Sequence, residues 1–177
     1  MVDYTIKKLK LYNKDLVKLP SDISSYTKLK ILNCDYNKIS RLDNLPPTLT
    51  ILYCYCNTLT ELDNLPLTLK VLDCGNNKLT QLDNLPLTLK ILDCSSNKIT
   101  SLDNLPPALE SLDCNNNQLM ELANLPPTLE FLECDNNKIT ELANLPLAMT
   151  YLYCSYNPLI YNFPLTLENI KQYNLKN

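Results

Sequence analysis

The sequence repeats itself at a constant interval of 20 residues. Seven segments read Leu-x-x-Leu-x-Cys-x-x-Asn-x-Leu/Ile, and most continue with Thr-x-Leu-x-Asn-Leu-Pro. They begin at Leu29, Leu49, Leu69, Leu89, Leu109, Leu129 and Met149. Because the seven copies stay in phase, we expect side chains 20 residues apart to occupy equivalent places in the fold.

Each repeat carries the pattern of one short β-strand. In Leu-x-x-Leu-x-Cys, alternation directs the fourth and sixth residues inward and the third and fifth outward. One such strand cannot bury its own apolar face, so stability must come from neighbouring rungs, with parallel strands about 4.8 Å apart. The Leu-Pro-Pro and Leu-Pro-Leu segments favour extended or polyproline II geometry. The sequence therefore predicts an elongated stack with little helix.

The two ends of the array depart from the repeat. Residues 1–28 make an atypical first unit, Ile6-x-x-Leu9-x-Leu11, in which residues 21–26 are predicted to form a short helical turn. The seven short repeats occupy residues 29–166. At residues 167–177, Leu167-x-x-Ile170 begins a further in-phase unit, but Gln172 stands where cysteine is expected, which predicts a partial repeat or cap. We expect a single domain over residues 1–177.

The run from Leu89 to Ile99 resembles the leucine-rich repeat signature, a strand followed by an asparagine. With its Leu-Pro segment, the unit is similar to the short repeats of bacterial type III secreted effectors and of proteins from giant DNA viruses of amoebae. The resemblance spans about Ile6 to Ile170. It implies an α/β-class leucine-rich repeat solenoid, with a curved parallel β-sheet on the concave side and a convex side of extended or polyproline II turns. It also implies binding rather than chemistry.

Asparagine recurs in two columns. The first lies where each strand ends, and its amides are expected to satisfy unpaired backbone groups at that bend. The second precedes Leu-Pro on the convex turn and is predicted to do similar work. The first column is Asn37, Asn57, Asn77, Asn97, Asn117, Asn137 and Asn157, and the second is Asn44, Asn64, Asn84, Asn104, Asn124 and Asn144.

Cysteine occupies the inward sixth position of seven repeats, where a small, weakly polar side chain suits a tight corner of the core. These thiols come one per rung, without histidine or Cys-x-x-Cys, so neither zinc binding nor a set of disulfides is predicted. Cys56 falls at the eighth position, where it could be an inert or a reactive surface thiol. The column is Cys34, Cys54, Cys74, Cys94, Cys114, Cys134 and Cys154.

Charge and composition narrow the classes of partner. A net charge of −3 and a pI near 5.0 argue against nucleic acid, so a partner bound by charge should be basic. No stretch approaches the roughly 20 apolar residues of a membrane span, and no export signal is recognised at the N-terminus. Free thiols suit a reducing compartment. We expect a cytoplasmic location, in the host cell if the chain is viral or effector-derived.

The outward third and fifth positions are the candidate binding residues. The fifth column reads Asn33, Tyr53, Asp73, Asp93, Asp113, Glu133 and Tyr153, and the third reads Ile31, Ile51, Val71, Ile91, Ser111, Phe131 and Tyr151. Carboxylates about 5 Å apart should repel by roughly 0.8 kcal/mol per pair in water, and a basic partner would relieve this. The alternative is a solvated acidic face offset by Lys70 and Lys90.

Aromatic residues gather at both ends of these columns. The candidate site includes Tyr156 beside Phe131, Tyr151 and Tyr153, which suggests a binding hot spot near the C-terminus. A second group, Tyr36, Tyr53 and Tyr55, lies near the N-terminus. The predicted partner-binding set is Ile51, Tyr53, Val71, Asp73, Ile91, Asp93, Asp113, Phe131, Glu133, Tyr151, Tyr153 and Tyr156.

Catalysis has little support in the sequence. There is no histidine for an ordinary Ser-His or Cys-His nucleophile and no glycine-rich phosphate loop, so we predict no catalytic residue, cofactor or metal. The chain is predicted to be a monomeric, non-catalytic scaffold that binds a protein on its concave face. Two alternatives stay open: a substrate-recognition arm of a larger ubiquitin-ligase-type effector, and a structural repeat protein that associates end to end or through its sheet edges.

Overall fold

A computed structural model of the chain describes residues 2–176 and contains one short strand for each rung. We number the rungs 1 to 8 after their strands. The strands are β1 (Lys8–Lys10), β2 (Ile31–Asn33), β3 (Ile51–Tyr53), β4 (Val71–Asp73), β5 (Ile91–Asp93), β6 (Ser111–Asp113), β7 (Phe131–Glu133) and β8 (Tyr151–Tyr153). A single 3₁₀ turn spans Ile23–Ser25, and helix α1 spans Leu167–Asn174.

The strands form one parallel sheet in sequence order, β1 to β8. Leu32 pairs with Leu52, and Leu52 pairs with Leu72, so the register advances by one repeat at every step. Each equivalent side chain therefore lies directly beside its neighbours, as the constant repeat length predicted. The predicted solenoid with a parallel sheet and little helix is confirmed.

The core is a stack of leucine layers that no single rung could bury alone. Leu72, Leu79 and Leu89 are fully buried, and the equivalent positions of the other central rungs are buried with them. Outward neighbours in the strands alternate with them; Val71 and Asp73 flank Leu72 and are only half-buried. Burying a leucine side chain is worth about 2 kcal/mol, so the repeated layers supply most of the cohesion between rungs.

The first asparagine column joins adjacent rungs at the end of each strand. The Asn57 side-chain oxygen accepts a hydrogen bond from the Ile39 amide at 3.0 Å, while its Nδ2 donates to the carbonyls of Cys34 and Cys54 at 3.0 and 3.1 Å. Asn97 makes the same set with Leu79, Cys74 and Cys94. The predicted role is confirmed: each amide satisfies backbone groups of its own rung and of the rung before it.

The second asparagine column does something different, and the prediction of similar work was wrong. Asn44, Asn64, Asn84, Asn104, Asn124 and Asn144 all adopt left-handed backbone, with φ between 55° and 59°. Asparagine tolerates this conformation better than other non-glycine residues. The column therefore turns the chain before each Leu-Pro through its backbone geometry.

The cysteine column lies inside the core as predicted. Cys54 is fully buried, and its Sγ donates to the carbonyl of Asp73 in the next rung at 3.1 Å. Burial raises the pKa of the Cys34 thiol to about 12, and it raises those of Cys54 and Cys74 well above the ordinary value. The eight cysteines within residues 2–176 are free thiols. Cys56 is partly exposed and has a left-handed φ of 53°, which sets it apart from the inward column.

The two ends of the solenoid are built differently. The predicted helical turn near the N-terminus is present as the 3₁₀ turn, with Ile23 buried. At the C-terminus, the segment predicted to form a partial repeat or cap contains helix α1, which Thr166 begins by accepting a hydrogen bond from the Asn169 amide at 3.2 Å. Leucine and isoleucine three residues apart fit a helix face as well as a repeat.

Helix α1 closes the last rung. Ile170 is fully buried, and Lys171 Nζ donates to the Met149 carbonyl at 3.0 Å. Asn174 Nδ2 donates to the Leu142 carbonyl at 2.7 Å. At eight residues α1 is far too short for a membrane span, and no helix within residues 2–176 has the length and apolar character needed to cross one.

Candidate protein-binding face

The exposed side of the sheet, formed by the third and fifth residues of each rung, is the candidate site; we call it the open face. Its third column is apolar over most of its length, as predicted. Ile31, Ile51 and Val71 are half-buried. Further along the chain, the exposed fraction is 44% at Ile91, 42% at Phe131 and 54% at Tyr151. The apolar surface available to a partner is therefore largest near the C-terminal end.

Two aromatic rings stack at that end. The Phe131 and Tyr151 rings lie parallel, with centroids 4.9 Å apart and an interplanar angle of 9°, and about half of each side chain is exposed. Tyr153 projects from the same strand as Tyr151, and both it and Tyr156 are exposed. We call these four residues the C-terminal aromatic patch. A paired, pre-ordered aromatic surface can bind a partner without losing much side-chain entropy.

A second aromatic group lies near the N-terminus, with a different membership from the one expected. Tyr12, Tyr36 and Tyr55 form a continuous row, with ring centroids 5.2 and 5.4 Å apart. Tyr53 lies instead in the fifth column, on β3. Tyr12 was missed because the first unit is 23 residues long, which takes Tyr12 out of the 20-residue register. Alignment on the Leu9 and Leu32 pair would have revealed it.

The aligned acidic residues also have a structural role that was not predicted from the sequence. Asp73 pairs with Asp93, and Asp93 pairs with Asp113, so the carboxylates are neighbours as predicted. Each also accepts a hydrogen bond from the backbone amide two residues ahead: Gly75 to Asp73 at 3.1 Å, Ser95 to Asp93 at 2.9 Å and Asn115 to Asp113 at 2.9 Å. These aspartates therefore cap the turn that ends their own strand.

Burial and the proximity of the carboxylates raise the pKa of two aspartates in the fifth column. Burial, helped by the neighbouring Asp93 carboxylate, raises the pKa of both Asp73 and Asp113 to about 6. All three aspartates are half-buried, whereas Glu133 is exposed. The Glu133 carboxylate accepts from Asn115 Nδ2 at 2.8 Å and remains open to solvent. Among the four predicted acids, Glu133 is thus the one best placed to meet a partner.

Where the fifth residue cannot cap its own turn, the preceding rung supplies the acceptor. Tyr53, Glu133 and Tyr153 are too long or lack a suitable oxygen for the short aspartate-type contact. The corresponding amides of Tyr55, Asp135 and Ser155 are instead held by Asp35, Asn115 and Asp135, at 2.8, 2.6 and 2.6 Å. This seventh column was missed because its residues change type from rung to rung. Turn capping therefore uses several of the acidic residues on this face.

The open face also has a basic end. Lys8 pairs with Ile31, and Lys10 pairs with Asn33, so these two exposed lysines extend the third and fifth columns to the first rung. The predicted site does not include Lys8 and Lys10, although the Leu9-x-Leu11 spacing places them in the third and fifth columns. The acidic residues of the fifth column therefore occupy only one part of the open face.

The chain offers little that resembles an enclosed site. Within residues 2–176, no group of three or more cysteine, aspartate or glutamate side chains is placed to hold a metal ion. Depressions are found along the Leu-Pro turns, such as one of about 530 Å³ lined by Asp83, Asn84, Leu87 and Asn104. They are lined by turn residues rather than by the strands. An extended surface, not a pocket, is the main feature of this molecule.

Comparisons with known proteins agree with this architecture. A family model for leucine-rich repeats in two copies matches residues 88–127. No curated protein sequence matches the chain. Among solved structures, the leucine-rich repeat domain of a Shigella effector is 31% identical with a TM-score of 0.75, and the match covers 95% of this chain and 74% of that one.

Two further structures extend the comparison. YopM from Yersinia enterocolitica is 39% identical with a TM-score of 0.72, over 78% of this chain and 32% of that one, so the chain spans about a third of its length. The functional domain of InlJ from Listeria monocytogenes, which includes a cysteine ladder, is 30% identical with a TM-score of 0.59, over 95% of this chain and 47% of that one. The chain belongs to the leucine-rich repeat family, and its short repeats resemble those of the YopM and Shigella effector domains.

Proposed function

We propose that this chain is a non-catalytic protein-binding module that holds its partner on the open face, with the C-terminal aromatic patch as the principal contact. Leucine-rich repeat domains related to bacterial effectors are generally protein-binding scaffolds and are typically non-catalytic. The observation that carries the proposal is the exposed, stacked Phe131–Tyr151 pair. Exposed aromatic surface of this kind on a folded domain marks interaction sites.

Within the face, the predicted site residues divide into three groups. Phe131, Tyr151, Tyr153 and Tyr156 are proposed as the main contacts, and Glu133 as a charged contact beside them. Ile51, Tyr53, Val71 and Ile91 would provide a shallower apolar floor. Asp73, Asp93 and Asp113 would contribute less contact energy, because each already caps a turn and is half-buried. We therefore place the binding energy toward the C-terminal end.

The proposal is tested by removing the stacked pair without disturbing the core. Phe131→Ser with Tyr151→Ser should reduce capture of a specific protein partner from host-cell lysate by at least about tenfold, the loss expected for two aromatic contacts. The matched control is Leu67→Ser with Leu147→Ser, which removes two exposed apolar side chains from the Leu-Pro turns. Equal capture by both variants, each shown to be folded by urea unfolding, would contradict the proposal.

The setting of this function is also a proposal. Its relatives are described as effectors, and the buried thiols suit a reducing environment, so we propose action in the cytoplasm of a host cell. As an alternative, the same face could serve as the recognition arm of a larger ubiquitin-ligase-type effector. A ubiquitination reaction with the product of the complete reading frame separates the two: ligase activity supports the arm, and binding without activity supports the scaffold.

A further inference from the structure

The ionised side chains of the open face change sign along the solenoid. Counting the residue before each strand together with the third and fifth columns, rungs 1 to 3 carry Lys7, Lys8, Lys10 and Lys30. Rungs 4 and 5 carry Lys70, Asp73, Lys90 and Asp93, and rungs 6 and 7 carry Glu110, Asp113, Glu130 and Glu133. The face is basic at one end, balanced in the middle and acidic at the other.

An ion pair marks the boundary between these regions. Lys90 Nζ contacts the Glu110 carboxylate in the next rung, so the middle of the face is neutralised from within. The outer lysines Lys7, Lys8, Lys10 and Lys30 are exposed, and so are Glu130 and Glu133 at the other end. The two charged ends are therefore the parts of the face whose charge a partner would still have to match.

We propose that the open face selects an extended protein segment with an acidic block and a basic block, bound with the acidic block over rungs 1 to 3 and the basic block over rungs 6 and 7. This inference rests on the proposed function, because it names the chemistry of the partner bound there. Rungs about 4.8 Å apart put the centres of the two charged regions about 22 Å apart. At about 3.3 Å per residue, that distance corresponds to about seven extended residues.

A segment of one charge fits the face less well. A uniformly basic segment would be attracted to Glu130 and Glu133 but would meet Lys8 and Lys10 at the other end, where like charges repel. A nucleic acid strand would meet the opposite difficulty over rungs 6 and 7. The apolar third column between the ends, with Ile51 and Val71, suits an uncharged spacer. The charge order, rather than the net charge of −3, therefore defines the partner.

The test uses synthetic fluorescent peptides and fluorescence anisotropy. One peptide has a glutamate block and a lysine block whose centres are about seven residues apart, with uncharged residues between the blocks. A second peptide has the same composition with the charges scrambled, and a third has lysine blocks at both ends. At low ionic strength, the ordered peptide should bind at least about tenfold more tightly than the scrambled one, and 0.5 M salt should remove most of this difference. Equal affinities for the ordered and scrambled peptides would overturn the inference.

Charge-reversal variants separate charge order from total charge. Lys8→Glu with Lys10→Glu should lose the preference for the ordered peptide and gain affinity for the doubly basic one. Adding Glu130→Lys and Glu133→Lys restores the wild-type net charge but leaves both ends of the face without net charge, because Lys7 and Lys30 remain at one end and Glu110 and Asp113 at the other. This four-residue variant should therefore bind the ordered and scrambled peptides equally tightly. Lys14→Glu with Lys18→Glu changes the net charge by the same amount at exposed residues outside the sheet and should keep the wild-type preference. A folded four-residue variant that still prefers the ordered peptide would contradict the inference.

Two outcomes show whether a failure concerns the charge-order inference or the proposed function. If the peptides show no charge-order preference while Phe131→Ser with Tyr151→Ser still abolishes partner capture, the bipolar inference fails and the proposed function stands. Sedimentation velocity tests a second copy of the chain as the occupant. We expect a monomer; an oligomer that dissociates in the Lys8→Glu, Lys10→Glu variant would show that the face pairs with another copy and would overturn the inference.

Discussion

The Asp35 carboxylate accepts a hydrogen bond from the backbone amide of Tyr55 at 2.8 Å, one rung further along the solenoid. Tyr55 depends on this contact because Tyr53, two residues before it, has no short side-chain oxygen with which to cap the turn. In rung 4, Asp73 provides that cap for Gly75 within its own rung. The repeat therefore tolerates variation at its outward fifth position when the preceding rung can supply the missing acceptor.

This compensation predicts a rescue between two rungs. Asp35→Ala should lower the free energy of unfolding by about 1–2 kcal/mol, because the Tyr55 amide loses its acceptor. Adding Tyr53→Asp should recover most of the loss, since the new aspartate can cap the Tyr55 amide as Asp73 caps Gly75. Urea unfolding measures both. An additive loss in the double variant would show that the two capping positions do not substitute for each other.

The asparagine that ends each strand should be among the most sensitive polar residues of the chain. Asn97→Ala removes the acceptor of the Leu79 amide and the donor to the Cys74 and Cys94 carbonyls, all in a buried environment. We expect a loss of about 2–4 kcal/mol in the free energy of unfolding. Lys98→Ala, at the exposed neighbouring residue, should change it by less than about 0.5 kcal/mol. Similar values for the two variants would contradict the structural role.

The second asparagine column predicts a different pattern of tolerance. Asn84 has a left-handed φ of 55°, so Asn84→Gly should be nearly neutral, whereas Asn84→Val should lose about 1–2 kcal/mol through steric strain. Thermal unfolding of the two variants provides the comparison. If glycine and valine are tolerated equally well, the left-handed conformation is not what this position requires.

The raised carboxyl pKa values predict that Asp73 and Asp113 destabilise the fold at neutral pH. Their pKa is about 6 in the folded chain against about 3.9 in an unfolded one, so the folded state holds these protons more tightly. The stability contributed by these groups should therefore fall as the pH rises from about 4 to 6.

Asp73→Asn tests this directly, because an amide oxygen can keep the turn cap, as Asn33 does for the Asp35 amide at 3.1 Å. We expect the variant to be more stable than the wild type at pH 7, by up to about 1 kcal/mol after allowance for solvent screening, and equal to it near pH 4. Asp103→Asn removes an exposed charge from a turn and serves as the control. A stability difference that does not change with pH would be inconsistent with the raised pKa.

One thiol should be accessible to reagents in solution, whereas the seven inward thiols should be protected by burial. Cys56 is partly exposed, whereas the inward cysteines are buried, and burial raises the pKa of Cys34, Cys54 and Cys74. A chromogenic disulfide reagent should therefore react rapidly with one thiol in the native protein and with all eight after denaturation. Cys56→Asn should remove the rapid phase. A rapid phase that survives this substitution would show that the column opens in the native state.

Much of the fold could be predicted because it depends on distances along the chain. The constant repeat length fixed the register in which Leu52 lies beside Leu72, and strand alternation placed Cys54 inside and Tyr53 outside. The first asparagine column followed from the need to pair backbone groups at a bend. These features are properties of one unit that every rung repeats, so local chemistry was enough to derive them.

The remaining features depend on relations between rungs or on the ends of the array. The turn-capping role of Asp73 competes with its role on the surface, and a pattern of carboxylates alone does not separate the two. The acceptor for Tyr55 lies 20 residues earlier, in a column of mixed residue types. At Leu167, repeat spacing and helix spacing coincide, so the spacing alone does not distinguish a further rung from helix α1. The functional face itself stays a prediction.

Site-specific photo-cross-linking tests the central claim most directly. A photoreactive phenylalanine at Tyr151, beside Phe131 on the open face, should form a covalent adduct with the captured protein partner. The same residue at Leu67, which is 79% exposed on a Leu-Pro turn, should not. Adducts confined to the Tyr151 position are the result that we predict. Adducts formed from Leu67 and absent from Tyr151 would show that the partner is held by the turns and would contradict binding on the sheet.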